Sequence, residues 1–208
     1  MIAVHHLDDS RSQRILWLLE ELGVPYEIKH HKRDPKTRLA PPALKEIHPL
    51  GKSPVIEDAG RVIAESGAII DYLLRHYGGG RLQPSPSTAA YDSYVHWMHY
   101  AEGSAMPALI IRINVARVGD AAAAALVRLD EEVALQLRYI DGALEGREYI
   151  LGKDFTAADI QLSFVGELAA ARFGVAGYPN VVGWVKRFQA RPAYRAALAR
   201  GGPYGFAA

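Results

Sequence analysis

The sequence contains no cysteine among its 208 residues. This absence excludes disulfides, thiolate-ligated metals, a CxxC redox pair and a cysteine nucleophile. If the protein carries out thiol chemistry, the reactive sulfur must therefore arrive on a ligand. A cytoplasmic location is the default expectation, although a lack of cysteine is compatible with any compartment.

The sequence also lacks an apolar run of about 18 residues, and its N-terminus lacks the features of a signal peptide. Neither sign of charge dominates, because 24 Lys and Arg residues face 23 Asp and Glu residues. We therefore expect no membrane span and no nucleic-acid partner. Half of the residues are hydrophobic and 23% are charged, which is typical of a globular protein with a sizeable core.

The first 77 residues alternate between strand and helix patterns. A short apolar strand opens the chain, and ILWLLEEL has helical spacing before Gly23 ends that helix. A second strand is predicted at 25–30, a weaker helix at 36–47, a hairpin at 54–64 and a helix at 65–77. This order is the wiring of a thioredoxin-like sheet.

Glycine and proline concentrate in residues 78–87, GGGRLQPSPS, which marks a domain boundary. Beyond it the patterns are helical, with long predicted helices over 89–118 and 121–144. The predicted fold class is α/β plus all-α. A thioredoxin-like domain (1–77) is followed by a linker (78–87) and an all-helical domain (88–208).

Two short segments carry the strongest chemical signals. In HPLGKSPVI, Pro54 opens a strand, and a cis Ser53–Pro54 bond would turn the Ser53 backbone outward, where an extended peptide can pair with it. Glu65-Ser66 stands at a helix start, whose N–H groups and dipole favour an anion. A peptide-like ligand with a carboxylate would suit both, although a turn followed by an ordinary helix start explains the same residues.

The segment Asp9 to Arg14, DSRSQR, lies between the first strand and the first helix. A hydroxyl there stands above the C-terminal edge of the sheet, where open α/β sheets bind ligands. Serine and aspartate are also the commonest helix N-caps, so the segment alone favours a capping role over catalysis.

These motifs, together with the later WMHYAEGS and DFTAADI, resemble a cytosolic glutathione transferase, in the right order over essentially the whole chain. The sequence looks most similar to the microbial, theta-like serine type. The resemblance implies an enzyme with glutathione as co-substrate, and it implies site residues by position. Ser53 and cis-Pro54 would pair with the cysteinyl unit, Glu65 and Ser66 would hold the γ-glutamyl end, and Lys52 and Arg38 would approach the glycine carboxylate, with Lys36 as an alternative to Arg38.

The resemblance places the catalytic hydroxyl at Ser10, with Ser12 as the alternative. A thiol with a pKa near 8.5 is only a few per cent ionised at neutral pH. A hydroxyl that donates to the sulfur stabilises the thiolate, and Arg11 and the helix N-terminus would help by charge. The reaction expected is attack of this thiolate on a hydrophobic electrophile.

For the acceptor site we expect Met106, Ile110, Tyr204 and Phe206, and by analogy Glu102 reaches the ligand of a neighbouring subunit in a homodimer. A detoxification role follows from the same resemblance. The alternatives are a glutathione-dependent peroxidase or disulfide reductase on the same fold, a non-catalytic ligand-binding protein, or a scaffold. Lys52, Ser53-Pro54 and Glu65-Ser66 favour glutathione binding over a scaffold.

Thr156 and Asp159 have the spacing of a capping box, which indicates a role in folding worth about 1 kcal/mol or more. Histidine pairs occur at His5-His6 and His30-His31. Adjacent residues of a strand point to opposite faces, so at most half of each pair can share a face. We expect no metal site.

Overall fold

A computed structural model describes residues 1–207 of the protein. The chain forms two compact units, one made of Met1–Leu82 with the segment from Phe188 onward, and one made of Gln83–Arg187. The helices in chain order are α1 (Ser12–Leu22), α2 (Ala43–Ile47), α3 (Ser66–Leu73), α4 (Ala89–Tyr100), α5 (Met106–Ala116), α6 (Ala123–Ala143), α7 (Ala157–Arg172), α8 (Pro179–Gln189) and α9 (Pro192–Gly201).

The first unit contains a four-stranded mixed sheet. Its strands are β1 (Ile2–Leu7), β2 (Tyr26–His31), β3 (Val55–Asp58) and β4 (Arg61–Ala64), in the order β2-β1-β3-β4. β1 and β2 are parallel, whereas β3 is antiparallel to both β1 and β4. This is the sheet that the sequence predicts for a thioredoxin-like domain.

Helix α1 forms the centre of the first unit, and its residues from Ile15 to Leu19 are completely buried. The Trp17 ring contacts the rings of Phe188 and Tyr194, at centroid distances of 5.4 and 5.2 Å. Glu21 forms an ion pair with Arg191 at 2.6 Å. Aromatic side chains of this size contribute much of a core's stabilisation, which explains why the segment from Phe188 packs with the first unit. The sequence predicts that this segment belongs to the helical domain (88–208), whereas the structure groups it with the first unit.

The predicted helix at 36–47 is wrong in its first half, since α2 covers only Ala43–Ile47. The carboxylate of Asp34 accepts hydrogen bonds from the backbone N–H groups of Lys36 and Thr37, which stabilises a turn there instead. Pro41 and Pro42 follow, and proline inside a helix removes a backbone donor.

The second unit is helical. The predicted continuous helix over 89–118 is interrupted by a π-helical turn at Ala101–Ala105, between α4 and α5. Pro107 follows this turn and has no N–H to donate to the preceding turn of a regular helix, which favours an irregularity here. A π-helical turn at Leu74–Gly78 likewise ends the predicted 65–77 helix in the first unit.

Helix α7 begins at the predicted capping box. Thr156 and Asp159 exchange side-chain and backbone hydrogen bonds, and the Asp159 carboxylate also accepts from the Ile150 N–H and the Trp184 indole, both at 2.9 Å. Asp159 is completely buried, and this burial raises the pKa of its carboxyl group. One carboxylate therefore joins the start of α7 to two other segments of the second unit.

Within residues 1–207, none of the helices combines the length and the apolar character needed to cross a bilayer. The same residues contain no group of three or more His, Asp or Glu side chains arranged to hold a metal ion.

Candidate active site

Four chain segments meet at one edge of the sheet in the first unit. β1 and β2 end together there, with Leu7 opposite His31. Because β3 is antiparallel to β1 and β4, it begins where they end, with Val55 opposite both His5 and Ala64. The segments after β1, after β2, before β3 and after β4 are therefore neighbours. These segments contain the residues of the first unit that are predicted to bind glutathione and to stabilise its thiolate.

Ser53 and Pro54 stand immediately before β3, and the peptide bond between them is cis, as the resemblance implies. The Ser53 hydroxyl donates to the carbonyl of His5 at 2.8 Å, which fixes this segment against β1. Pro54 is buried, Ser53 is half-buried and the preceding Lys52 is exposed. The side chain of Lys52 is thus free to approach an anion at this edge.

Glu65 and Ser66 stand immediately after β4, at the start of α3. Glu65 has a positive φ of 71°, which is rare for a residue with a side chain, and its side chain is exposed. Ser66 is buried, and its hydroxyl accepts a hydrogen bond from the Arg14 guanidinium at 3.2 Å. Non-glycine residues with positive φ cluster at binding sites, where the fold holds them in place.

Ser10 and Ser12 are joined by a hydrogen bond of 2.7 Å between their hydroxyl oxygens. The Ser12 hydroxyl also lies 2.8 Å from Nδ1 of His6 and accepts from the Leu7 N–H at 3.2 Å. Ser12 is completely buried, whereas Ser10 keeps 5% of its surface exposed. The hydrogen-bonding capacity of Ser12 is therefore taken up inside the protein, and Ser10 is the outer member of the pair.

His6 ends this chain of hydrogen bonds inside the protein, and it is buried as well. Burial, followed by the charge of His30, lowers the pKa of His6 to about 4. The imidazole is therefore neutral near pH 7, because burial disfavours its charged form more than the charge of Asp8 favours it. The sequence pattern suggests His6 only as a candidate metal ligand and does not predict this contact.

Arg33 is a second residue that sequence reasoning missed. Its guanidinium donates to the backbone carbonyls of Asp8 at 2.7 Å, of Asp9 at 3.2 Å and of Arg38 at 2.9 Å. One side chain therefore joins the loop that carries Ser10 to the loop that carries Arg38. Nothing in the local pattern KHHKRDPKTR distinguishes Arg33 from its basic neighbours.

Arg38 is exposed and forms an ion pair with Asp9, with 2.9 Å between Nη2 and Oδ2. Arg38, which is predicted to bind the glycine carboxylate, thus lies next to the loop that carries Ser10 and is paired with an acidic side chain of the protein itself. Lys36 is exposed as well. Arg11 occupies the position that precedes the first residue of α1 and is half-buried.

The predicted acceptor residues belong to different units. Tyr204 and Phe206 lie in the segment after α9, both half-buried, with their rings packed edge to face at 5.4 Å. Met106 and Ile110 lie on α5 of the second unit, where Met106 is buried and Ile110 is half-buried. Glu102 is half-buried in the π-helical turn before α5.

Comparison with known families supports the same reading for both parts of the chain. Residues 10–76 match the family described as "Glutathione S-transferase, N-terminal domain", and residues 95–192 match "Glutathione S-transferase, C-terminal domain". Among curated proteins, Glutathione S-transferase 3 of Schizosaccharomyces pombe is 39% identical, over 95% of this chain and 86% of that protein. Glutathione S-transferase 1 of Saccharomyces cerevisiae is 33% identical, over 95% and 94%.

Solved structures agree with the sequence relatives. A glutathione S-transferase from Actinobacillus pleuropneumoniae superposes with a TM-score of 0.90 at 36% identity, over 97% of this chain and 93% of that one. A glutathione transferase family member from Pseudomonas fluorescens, with two glutathione bound, has a TM-score of 0.79 at 26% identity, over 95% and 92%. The predicted fold class is confirmed, and the chain belongs to the glutathione S-transferase family.

Proposed function

We propose that the protein binds glutathione at the sheet edge of its first unit and transfers it to a hydrophobic electrophile. The observation that carries this proposal is the register of β3. With Val55 opposite both His5 and Ala64, the Ser53–Pro54 and Glu65–Ser66 segments lie beside the end of β1 that leads to Ser10. A tripeptide with an anion at each end and a thiol in the middle matches this order of groups.

In the proposed complex, the cysteinyl backbone of glutathione pairs with Ser53 as an added strand does. The γ-glutamyl end lies at Glu65 and Ser66, where the start of α3 supplies N–H groups and a favourable dipole for its carboxylate. Lys52 and Arg38 attract the glycine carboxylate. Arg38 exchanges part of its pairing with Asp9 for this contact, so its contribution to binding is smaller than that of a free arginine.

Ser10 is the proposed catalytic residue, because the Ser12 hydroxyl is engaged by His6 and Leu7. The Ser10 hydroxyl donates to the sulfur and stabilises the thiolate, and Arg11 and the N-terminus of α1 add positive charge. Lowering the thiol pKa by about two units corresponds to about 2.7 kcal/mol of differential stabilisation. The thiolate then attacks the electrophile, and Ser10 keeps its own proton throughout.

Finer expectations belong to the same proposal. The acceptor is an apolar electrophile that contacts Tyr204 and Phe206 of the first unit. We further propose a cytoplasmic homodimer with a role in detoxification, in which Glu102 reaches the partner's ligand. Exposed apolar side chains on α6, including Val127, Leu135 and Tyr139, support self-association. Sedimentation velocity measures this directly, and a monomer at micromolar concentration contradicts the dimer.

The test combines binding and turnover. Titration calorimetry of the full chain with glutathione is expected to show binding in the millimolar range or tighter. Conjugation of a chlorodinitrobenzene is then followed by absorbance, with a hydroperoxide assayed in parallel. Absence of glutathione uptake contradicts the proposal, and turnover of the hydroperoxide alone assigns the site to peroxide reduction instead.

A further inference from the structure

The chain beyond α9 returns to the loop that carries Ser10. The N–H of Gly205 donates to Oδ1 of Asp9 at 2.8 Å. The approach is close, because a Cβ placed on Gly205 would lie 3.3 Å from the same oxygen. Asp9 immediately precedes Ser10 in the sequence. The residues on either side of Gly205 are Tyr204 and Phe206, so this hydrogen bond holds the backbone between two aromatic residues beside the loop that carries Ser10.

Asp9 is itself held in place on three sides. Its backbone has a φ of 50°, a left-handed conformation that asparagine, aspartate and glycine tolerate best. Arg33 donates to its carbonyl, and Arg38 pairs with Oδ2, the carboxylate oxygen that Gly205 does not use. The two oxygens thus serve different partners, one on the side of the glycine carboxylate and one on the side of the C-terminal segment.

We propose that Asp9 is a positioning residue that fastens residues 202–206 beside the Ser10 loop, so that Tyr204 and Phe206 select flat aromatic electrophiles. This inference rests on the proposed transferase function. The two rings pack edge to face, and an aromatic acceptor extends such packing with favourable edge or offset contacts. A small aliphatic acceptor gains little from the same rings.

Two substitutions at Asp9 isolate the contact. Asp9→Asn keeps a side-chain oxygen for Gly205, Asp9→Gly removes it, and both residues accept a positive φ. Both variants also remove the charge that pairs with Arg38, so the difference between them reports the bond to Gly205. Gly205→Pro removes the donor instead and leaves Asp9 unchanged.

The first readout is amide hydrogen exchange of the C-terminal peptide in the full chain. Exchange is expected to be about fivefold faster in Asp9→Gly than in Asp9→Asn, the value for one lost hydrogen bond. The second readout is the KM for a chlorodinitrobenzene divided by the KM for a small enone, at saturating glutathione. This ratio is expected to rise about fivefold in Asp9→Gly and in Gly205→Pro, with glutathione affinity in Gly205→Pro unchanged.

Equal exchange in the two Asp9 variants overturns the fastening role. Faster exchange with an unchanged KM ratio overturns the role in selectivity, as does an unchanged ratio when the chain is ended after Pro203. Failure of the transferase function is a separate result, because it is seen as absence of glutathione uptake by the unaltered protein. The exchange measurement needs no substrate, so it decides the fastening role in either case.

Discussion

Helices α3 and α7 begin in opposite ways. At α7, Thr156 and Asp159 form a capping box, and the Asp159 carboxylate also accepts hydrogen bonds from the Ile150 N–H and the Trp184 indole. At α3, among the residues that the structure describes, no side chain caps the helix, and Glu65 stands exposed with a positive φ. The start of α7 is complete without a ligand. Within residues 1–207, the start of α3 has no side-chain cap and carries an exposed carboxylate.

The two helix starts look alike in the sequence, but one stabilises the fold and the other is suited to binding a ligand. Both Thr156–Asp159 and Glu65–Ser66 combine a hydroxyl with an acidic residue at a helix start. Where the protein supplies every partner, substitution should cost stability. Where it leaves groups open at the sheet edge, substitution should cost affinity or rate. Substitutions at the two helix starts and beside the proposed site can distinguish a loss of stability from a loss of affinity or rate.

The largest effect is expected for Asp159→Ala, which should lower the free energy of unfolding by about 4 kcal/mol. Four hydrogen bonds to this buried carboxylate are lost, from Ile150, Trp184 and both groups of Thr156, at about 1 kcal/mol each. Urea unfolding followed by circular dichroism measures the change. Asp154→Ala, at an exposed carboxylate nearby, is the matched control and should change stability by less than about 0.5 kcal/mol.

The next effect is a loss of stability in acid through His6. Its pKa in the folded protein is about 4, against 6.5 for the free side chain, so the unfolded chain binds the proton more tightly. The stabilisation is complete above about pH 6.5 and is lost as the pH falls towards 4, with a total of about 3 kcal/mol. Urea unfolding at several pH values should show a flatter dependence in His6→Asn than in the unaltered protein.

His99→Asn serves as the control for this measurement, because His99 is an exposed histidine of the second unit. Its pH dependence should match that of the unaltered protein. If His6→Asn loses as much stability between pH 6.5 and 4 as the unaltered protein does, another group causes the loss. The assignment of this loss to the buried neutral imidazole of His6 is then wrong.

Ser10→Ala tests the open side of the comparison by rate. Its kcat/KM for conjugation at about pH 7 should fall 10- to 100-fold, because a hydrogen bond to a charged group contributes about 1.5–3 kcal/mol. Glutathione affinity, measured by calorimetry, should change less than threefold. The apparent pKa of the bound thiol, read from the pH dependence of kcat/KM, should rise.

Ser12→Ala is the matched variant, and its main effect should be on stability, because it leaves the buried Leu7 N–H and His6 without their partner. A raised thiol pKa in Ser12→Ala together with an unchanged one in Ser10→Ala would reverse the assignment of the catalytic hydroxyl.

The smallest effect is expected for Lys52→Ala, an exposed charge at the sheet edge. It should raise the Kd for glutathione about threefold, because a solvent-exposed ion pair contributes about 0.2–1 kcal/mol. Lys36→Ala is the comparison, since it removes the same charge from the neighbouring loop. An effect confined to Lys36→Ala places the glycine carboxylate on that loop.

Much of the fold could be predicted from the sequence, because most of its strands and helices have a clear local pattern of apolar residues. Alternation, helical spacing and the glycine turn at residues 59–60 predicted the four strands and the helices α1 and α3 close to their observed bounds. Helix α9 of the same unit was not predicted. The predicted helix at 36–47 failed because the side chain of Asp34 stabilises a competing turn. The interruption at Ala101–Ala105 was missed because apolar spacing continues through it.

The site was predictable only where its residues lie in short motifs. Ser53-Pro54 and Glu65-Ser66 each form a motif, so resemblance was enough to find them. Asp9 and Arg33 act through residues far along the chain or through backbone carbonyls, and a carbonyl leaves no mark on a sequence pattern. His6 contacts the nearby Ser12, but this contact depends on how the chain turns between β1 and α1. The hydrogen bond between Asp9 and Gly205 joins residues 196 positions apart.

The packing of Trp17 against Phe188 and Tyr194 has a consequence for how the chain is made. The first unit is discontinuous, so during synthesis its sheet and α1 emerge before the residues that cover Trp17. A fragment ending near residue 77 would expose this tryptophan to solvent and should aggregate. The nascent N-terminal half must therefore keep a large apolar surface uncovered until the segment from Phe188 onward has left the ribosome.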